Sequence, residues 1–398
     1  MQVAAPPTPE NVQRESAIRL ALIVAAAHGI NDAYASFVPP LLPRIMDELG
    51  LSITMAATLA VAFSVASALP QPLFGYLSDR FGRRIFAVLG PLTSGVFVST
   101  MGWAAGFWSL VLLLVLGGIG SAAFHPPGAS YAVRLSAGKG GGARYSIFSF
   151  GGSIGFALGP LVAVGIVQAR GMDGLWIAMV PALVVAPLLF WALPSGRAEA
   201  RAQSRPPPPP SEVLRHLRGP LGLIFGVSAV MAFVQRAFLT MEPIIVADAG
   251  GTETLGAVAL TVYLGAQSFG TVTGGLLADR VDRRLLLGHL CFWAVPMHLL
   301  AVWVGPESAM GLIAIGAAGF LGMATLPPVV VMAQEMLPSG TGVGSGIVMG
   351  LAWATGAVAV LGTGALADLV GPQVATLASM PLGLIAVGFA LHPALRRA

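Results

Sequence analysis

Long apolar blocks alternate with short polar ones along almost the whole chain. The apolar runs lie at about 17–42, 52–77, 85–104, 107–133, 145–169 and 173–193, and after a polar break at about 220–246, 254–278, 285–304, 309–334, 343–367 and 373–393. A helix needs roughly 20 apolar residues to cross a bilayer, so each run predicts one spanning helix. The expected fold is all-α, a polytopic membrane protein with twelve transmembrane helices, six on either side of the break. The break, 194–219, carries Arg197, Arg201, Arg205, Arg215 and Arg218 together with the consecutive prolines Pro206 to Pro210. Such a segment cannot bury apolar surface and reads as an extended linker with polyproline II character, a spacer rather than a docking motif. The expected divisions are a polar segment 1–16, a six-helix bundle 17–193, the linker 194–219, a second bundle 220–393 and a tail 394–398.

Composition sharpens this. Of the 398 residues, 56% are hydrophobic and only 10% charged, against about 25% charged in soluble domains. The chain lacks the polar surface needed to cover a water-facing globule, which excludes a soluble enzyme, a nucleic-acid binder and a disordered protein. The net charge of +4 matters less than its placement. With the N-terminus cytoplasmic, that side holds 18 of the 21 lysines and arginines, including Arg80, Arg83, Arg84, Arg134, Lys139, Arg144, Arg280, Arg283, Arg284 and the linker arginines. The opposite side holds Arg44 and Arg170 beside the acids Asp47, Glu48, Asp173, Asp248, Glu253, Glu307 and Asp368, and Arg236 lies inside a span. Positive charge collects on the cytoplasmic side of membrane proteins, so both termini are expected in the cytoplasm, with the chain in the inner membrane. The sole cysteine, Cys291, allows no intrachain disulfide and reads as a buried, inert thiol. The polar N-terminus lacks the layout of a cleaved signal peptide, so the first apolar run is expected to remain as a helix.

The chain repeats itself. Gly75-Tyr76-Leu77-Ser78-Asp79-Arg80 with Arg83-Arg84 recurs as Gly275-Leu276-Leu277-Ala278-Asp279-Arg280 with Arg283-Arg284, always 200 residues on. Pro126-Pro127 in span four is echoed by Pro327-Pro328 in span ten. Two six-helix halves in parallel repeat are the simplest reading.

The run G-Y-L-S-D-R-F-G-R-R at 75–84 follows a second apolar span and returns one half later, with Asp282 where the first copy has Gly82. It resembles the signature of the major facilitator superfamily between spans two and three. More narrowly, the first half resembles the fosmidomycin resistance protein family. The matching pieces are H-G-I-N-D at 28–32, Q-P at 71–72, G-S-A-A-F-H-P at 120–126, R-L-S-A-G at 134–138 and F-S-F-G-G-S-I-G-F-A-L-G-P at 148–160. One departure is Pro127, where that family carries an acidic residue directly after F-H-P. The resemblance implies two pseudo-symmetric six-helix bundles that rock about a central cavity lined by spans one, four, seven and ten.

Ionisable groups at membrane depth cost about 2.5–3.5 kcal/mol on insertion scales and need a partner or a wet cavity. Well inside the spans stand His28, Asp32, His125 and Arg236, with Glu242 and Glu335 towards span ends. His28, Asn31 and Asp32 share one face of span one, because positions three and four apart stack on a helix. Span seven carries Gln235 and Arg236 at a similar depth. With the implied cavity, Asp32 and Arg236 are expected to face each other: Asp32 carries a proton, and Arg236 moves towards an anionic substrate and releases it. The plainer alternative is a fixed ion pair between the halves. His125 either binds substrate or relays protons, or it only satisfies a carbonyl freed by the prolines after it. His28 is expected to hydrogen-bond Asp32, and His289 and His298 are expected to be packing or interfacial residues. No two histidines and a carboxylate stand at ligand spacing, so neither a metal site nor any cofactor is expected.

Asp79, Arg80, Arg83 and Arg84, with Asp279 and Arg280, have two readings. In one they form a conformational latch in which the carboxylate caps a neighbouring helix and the arginines pair with acids, Glu335 among them. In the other they are plain positive-inside charge. Gly151, Gly155 and Gly159, ending in Pro160, form a small-residue stripe that lets two helices approach closely. Phe124, Phe148, Phe150, Met231 and Phe233 read mostly as lipid-facing or packing residues. No Gly-rich loop ends in Gly-Lys-Ser/Thr and the sole lysine is Lys139, so transport draws on ion gradients or runs downhill.

The resulting expectation is a monomeric secondary transporter in the lipid bilayer that couples protons to efflux of a small drug-like or anionic compound by alternating access. Asp32 and His28 are the proton-coupling residues, and Asn31, His125, Gln235 and Arg236 contact substrate. The alternatives are a symporter or uniporter importing a small organic acid, a lipid-handling flippase, and a non-transporting receptor on the same scaffold.

Overall fold

Prolines, glycines and small hydroxyl residues punctuate the apolar runs, and the helices start and stop at them. The computed structural model describes residues 9–135, 141–194, 210–337 and 341–396. Residues 1–8, Lys139, the linker residues 195–209 with Arg197, Arg201, Arg205 and Pro206 to Pro209, and Arg397 lie outside the described residues. Twelve helices are long and apolar enough to cross a membrane. They are α1 (Ile18–Leu49), α2 (Ile53–Phe81), α3 (Arg83–Trp103), α4 (Phe107–Ala132), α5 (Ser146–Arg170), α6 (Met172–Ala192), α7 (Pro220–Asp248), α8 (Glu253–Ala278), α9 (Arg283–Val304), α10 (Ala309–Met336), α11 (Val343–Val370) and α12 (Pro372–Ala390). Among the described residues there is no strand.

Three boundaries differ from the expected ones. Span one was expected to end near residue 42 but runs to Leu49: the helix breaks at Ser36–Phe37 and resumes at Val38, with Pro39 and Pro40, which lack an N–H, in its first turn. The second half of the expected extended linker is helical over Pro210–Leu217. The third is α2, which continues to Phe81, so Asp79 and Arg80 sit in a last helical turn rather than in a loop.

The repeat is written into the turns. Ser52 caps α2 by accepting from the Met55 N–H, and Thr252, 200 residues on, caps α8 through the Leu255 N–H. Gly50 and Gly250 hold φ of 62° and 80°, and Gly171 and Gly371 hold 72° and 87°. Only glycine takes that backbone without steric penalty. A Cβ on Gly75 would lie 3.7 Å from Pro126, and one on Gly275 would lie 3.7 Å from Pro327, so α2 meets α4 as α8 meets α10.

Within the first half α1 packs along α5 and α4 against α2 and α3; in the second half α7 packs along α11 and α10 against α8 and α9. The halves join where α2 runs along α11 and α5 along α8. The glycine stripe of α5 meets α1: side chains at Gly151, Gly155 and Gly159 would run into the backbone of Ala25, Gly29 and Ala33. Residues 27–46 of α1, 113–132 of α4, 219–246 of the segment around α7 and 314–334 of α10 include no exposed position, which places these helices innermost. The outer helices instead expose Phe150, Leu158, Trp191, Trp293 and Ile385, as a lipid-facing surface requires.

Candidate functional site

Asp32 is the hub of a polar cluster inside the first half. One of its carboxylate oxygens, Oδ2, lies 3.1 Å from His28 Nε2, one helical turn away. The other, Oδ1, lies 3.3 Å from His125 Nε2 on α4. Asn31 Nδ2 donates to the same Oδ1 at 3.0 Å and to Ser121 Oγ at 3.2 Å. Each imidazole is anchored at its far nitrogen: His28 Nδ1–H donates to the Phe148 carbonyl at 3.0 Å, and His125 Nδ1–H to the Ser121 carbonyl at 2.8 Å. A carbonyl can only accept, so both Nδ1 atoms carry hydrogen and both Nε2 atoms are turned to Asp32. The His28 ring stacks on Phe148 with centroids 4.2 Å apart, and it fills space that only a glycine at 152 leaves open, since a Cβ there would stand 2.6 Å from Nδ1.

The prolines after His125 do not explain its bonding. Pro126 and Pro127 free the carbonyls of Ala122 and Ala123, four residues back, yet the imidazole bonds Ser121 and keeps Nε2 for Asp32. The side chains of His28, Asp32 and His125 are 13%, 18% and 32% exposed. They sit on helix stretches that present no exposed residue outward, so this exposure opens into the interior of the protein.

The fold therefore differs from two readings. Asp32 is partnered by two histidines of its own half, and among the described residues no carboxylate lies within 4.0 Å of Arg236, so the alternative of a fixed Asp32–Arg236 ion pair is not met. Two histidines and a carboxylate do converge, although their spacing along the chain suggested no such grouping: the three donor groups lie within 4.8 Å of one another. The α1–α4 contact closes a sequence separation that periodicity cannot see.

Arg236 stands at a small recess of about 30 Å³, room for roughly one water molecule. Ala232, Gln235 and Leu239 of α7, Gln267 of α8, Met323 of α10 and Trp353 of α11 line it, and Phe156 of α5 closes it from the other half. The guanidinium carbon lies 5.6 Å from the Trp353 ring, a cation–π distance. Gln235 is held by Gln267, which donates to its Oε1 at 2.9 Å, and it donates to the Gly322 carbonyl at 3.4 Å. His298 is fully buried, with Nε2 2.9 Å from the Tyr263 hydroxyl, and His289 is exposed. Cys291 is buried.

Polar ties between the halves gather on one face. Arg44 reaches Glu253 through two bonds of 2.7 and 3.0 Å. Asp368, at the end of α11, accepts from the Ile53 and Thr54 N–H groups at 2.7 and 3.1 Å and from the Thr54 hydroxyl at 2.5 Å, so it caps α2 from the opposite half. Gln168 donates to Thr254 at 2.8 Å. On the other face, among the described residues, every polar tie stays within a half. Arg83 bonds Asp79 at 2.7 Å, Arg84 donates to the Leu193 carbonyl at 3.4 Å, Arg283 meets Glu335 at 2.6 Å, and Arg284 donates to the Leu391 carbonyl at 2.7 Å.

The expected helix-capping role of Asp79 is not seen, because the carboxylate is taken by Arg83 one turn on. Asp279 is the C-cap just past the end of α8, Arg80 donates to Tyr76, and the cap of α9 is Asp282, whose carboxylate accepts from the Leu285 N–H. Sequence reasoning overlooked Ser121, Phe148 and Gly152 as supports of the cluster; the Gly151-Gly152 pair following two phenylalanines was the available signal. It also counted Arg44, Glu253 and Asp368 only as loop charges.

The sequence profile described as Major Facilitator Superfamily matches residues 24–243. The chain is 27% identical over 404 residues to the uncharacterized MFS-type transporter YfnC of Bacillus subtilis (strain 168), with 97% of each chain covered. It is 27% identical over 354 residues to the fosmidomycin resistance protein of Escherichia coli (strain K12), covering 87% of this chain and 85% of that one. Among solved structures, a bacterial homolog to the human lysosomal transporter Spinster, inward-facing and unoccupied, superposes with a TM-score of 0.76 at 16% identity over 97% of each chain. A D-xylose-proton symporter gives 0.73 at 17% identity, covering 94% of this chain and 97% of its own. At these identities the solved structures establish the fold.

Proposed function

Because the chain belongs to the Major Facilitator Superfamily, and is a multi-pass membrane carrier of small molecules rather than an enzyme, we propose that it exports a small drug-like or anionic compound in exchange for protons by alternating access. The observation that carries this reading is the recess at Arg236. It is built from both halves, it holds a guanidinium with no carboxylate within 4.0 Å among the described residues, and the polar ties between the halves among those residues gather on one face. An uncompensated cation beside an aromatic ring suits an organic anion with an apolar body. The likeness to a fosmidomycin resistance protein supports the outward direction.

The face holding the chain ends is cytoplasmic, so the tied face is the outer one and this state is open inward. Arg236 and Gln235 contact the substrate from the second half, with His125 in the first; Asn31, expected to contact substrate, is fully buried with its amide given to Asp32 and Ser121. Asp32 and His28 hold the coupling proton. Asp79, Arg80, Arg83 and Arg84, with Asp279 and Arg280, latch the cytoplasmic ends when the halves rock. The carrier works as a monomer.

Reconstituted protein in vesicles with an imposed proton gradient tests this. Organic-anion efflux that acidifies the opposite compartment is expected, with Arg236→Ala losing substrate-dependent thermal stabilisation and Asp32→Asn losing the proton movement. Full proton-driven transport by Asp32→Asn would end the coupling assignment. Accumulation of the anion together with protons would instead identify an importer.

A further inference from the structure

The Asp32 cluster has a chemistry that anion transport does not call for. Two imidazoles aim at one carboxylate, and each has its Nδ1–H committed to a backbone carbonyl, so Nε2 is the nitrogen each ring turns to Asp32, where a metal ion could take the place of a proton between nitrogen and oxygen. Two ligands on a zinc ion, at about 2.0–2.1 Å each and at the tetrahedral angle, stand roughly 3.3–3.4 Å apart. Here His28 Nε2 lies 3.1 Å from Oδ2 and His125 Nε2 lies 3.3 Å from Oδ1 of the same carboxylate, and with one donor atom from each residue all three lie within 4.8 Å of one another.

The surroundings fit the same use. A metal-bound histidine characteristically donates its other ring N–H to a carbonyl or carboxylate, which fixes the tautomer and aims the ring, and both rings do so. Asn31 orients the carboxylate, and Phe148 and Gly152 hold the His28 ring in place. No lysine or arginine among the described residues lies within 4.0 Å of Asp32 to compete for it. Two imidazoles with one carboxylate favour zinc, cobalt or nickel over the all-oxygen ions magnesium and calcium. The partial exposure of His125 supplies an entry path and room for a water ligand.

We propose that His28, Asp32 and His125 bind one divalent first-row transition-metal ion of the zinc or cobalt type, reached from the interior of the protein. The inference rests on the reading of this cluster as the carrier's cation centre and adds a second class of cation to it.

The full chain, purified in detergent through a histidine-free tag and stripped with a chelator, is titrated with Co²⁺ alone, followed by ligand-field absorption and calorimetry, and then with Zn²⁺. One ion per chain is expected, displaced by zinc, with binding more than about 100-fold weaker in Asp32→Asn and His125→Gln. His289→Ala, an exposed histidine on α9, should bind like the parent. Metal-free thermal unfolding verifies that each variant is folded, and His28→Gln replaces any variant that is not. Absence of saturable cobalt binding, or binding that the cluster variants keep, overturns the proposal. Anion flux measured with chelator present separates the two readings. Flux without cobalt binding ends this inference and leaves the transport reading, whereas cobalt binding without flux supports this inference and counts against that reading.

Discussion

Removing the ties on the closed face should tip the protein towards the opposite opening. Arg44–Glu253 and Asp368–Thr54 join the halves only while that face is shut, so their loss destabilises one state and leaves the other untouched. The Arg44–Glu253 pair is bidentate, but Arg44 is 34% and Glu253 19% exposed, so after solvent screening it contributes about 0.5–1 kcal/mol. Asp368 is exposed, and as a carboxylate at the first N–H groups of α2 it adds about 0.3–1 kcal/mol. Together the double variant Glu253→Gln, Asp368→Asn should shift the two-state ratio by roughly 4- to 30-fold, at 1.36 kcal/mol per tenfold. Spin labels on Asp47→Cys and Leu369→Cys sit on that face in opposite halves, and the native Cys291 is buried and does not compete. Pulsed dipolar spectroscopy should show a new, longer distance component that grows in the double variant. A folded double variant with the parent's distance distribution would refute the assignment of these contacts as the gate.

Three further outcomes follow from particular contacts. Gly152→Ala places a methyl where the His28 ring lies, so it should break the His28–Asp32 contact and abolish coupled flux with only a small fall in melting temperature; parent-level coupling would contradict the positioning role. Gly155→Val forces α5 off the Gly29 backbone and should lower stability by about 1–3 kcal/mol, measured as earlier thermal unfolding than in Val162→Ala, an exposed position on the same helix. Asp79→Asn removes the partner of Arg83, which is 8% exposed and already has Nη1 without a hydrogen-bond partner. Because Asp79 is 35% exposed, the expected loss is about 1–2 kcal/mol, and a melting temperature equal to that of the parent would count against it.

The chain alone specifies twelve apolar helices and a repeat, because bilayer thickness demands a fixed length of apolar sequence, and because the run Gly75 to Arg84 and the pair Pro126-Pro127 return about 200 residues on. It also marks His28, Asp32, His125 and Arg236 as the few polar groups that oil-like surroundings would not tolerate without cause. It does not reveal which of them meet. His28 and Asp32 are one turn apart and their contact is legible from helical spacing, but His125 arrives from α4 and takes the place foreseen for Arg236. Which tie holds Asp368, and on which face, likewise depends on where α11 passes α2. Such choices depend on helix rotation and crossing, set by close backbone approaches such as Gly29 on Gly155, and so they are decided only when the helices pack.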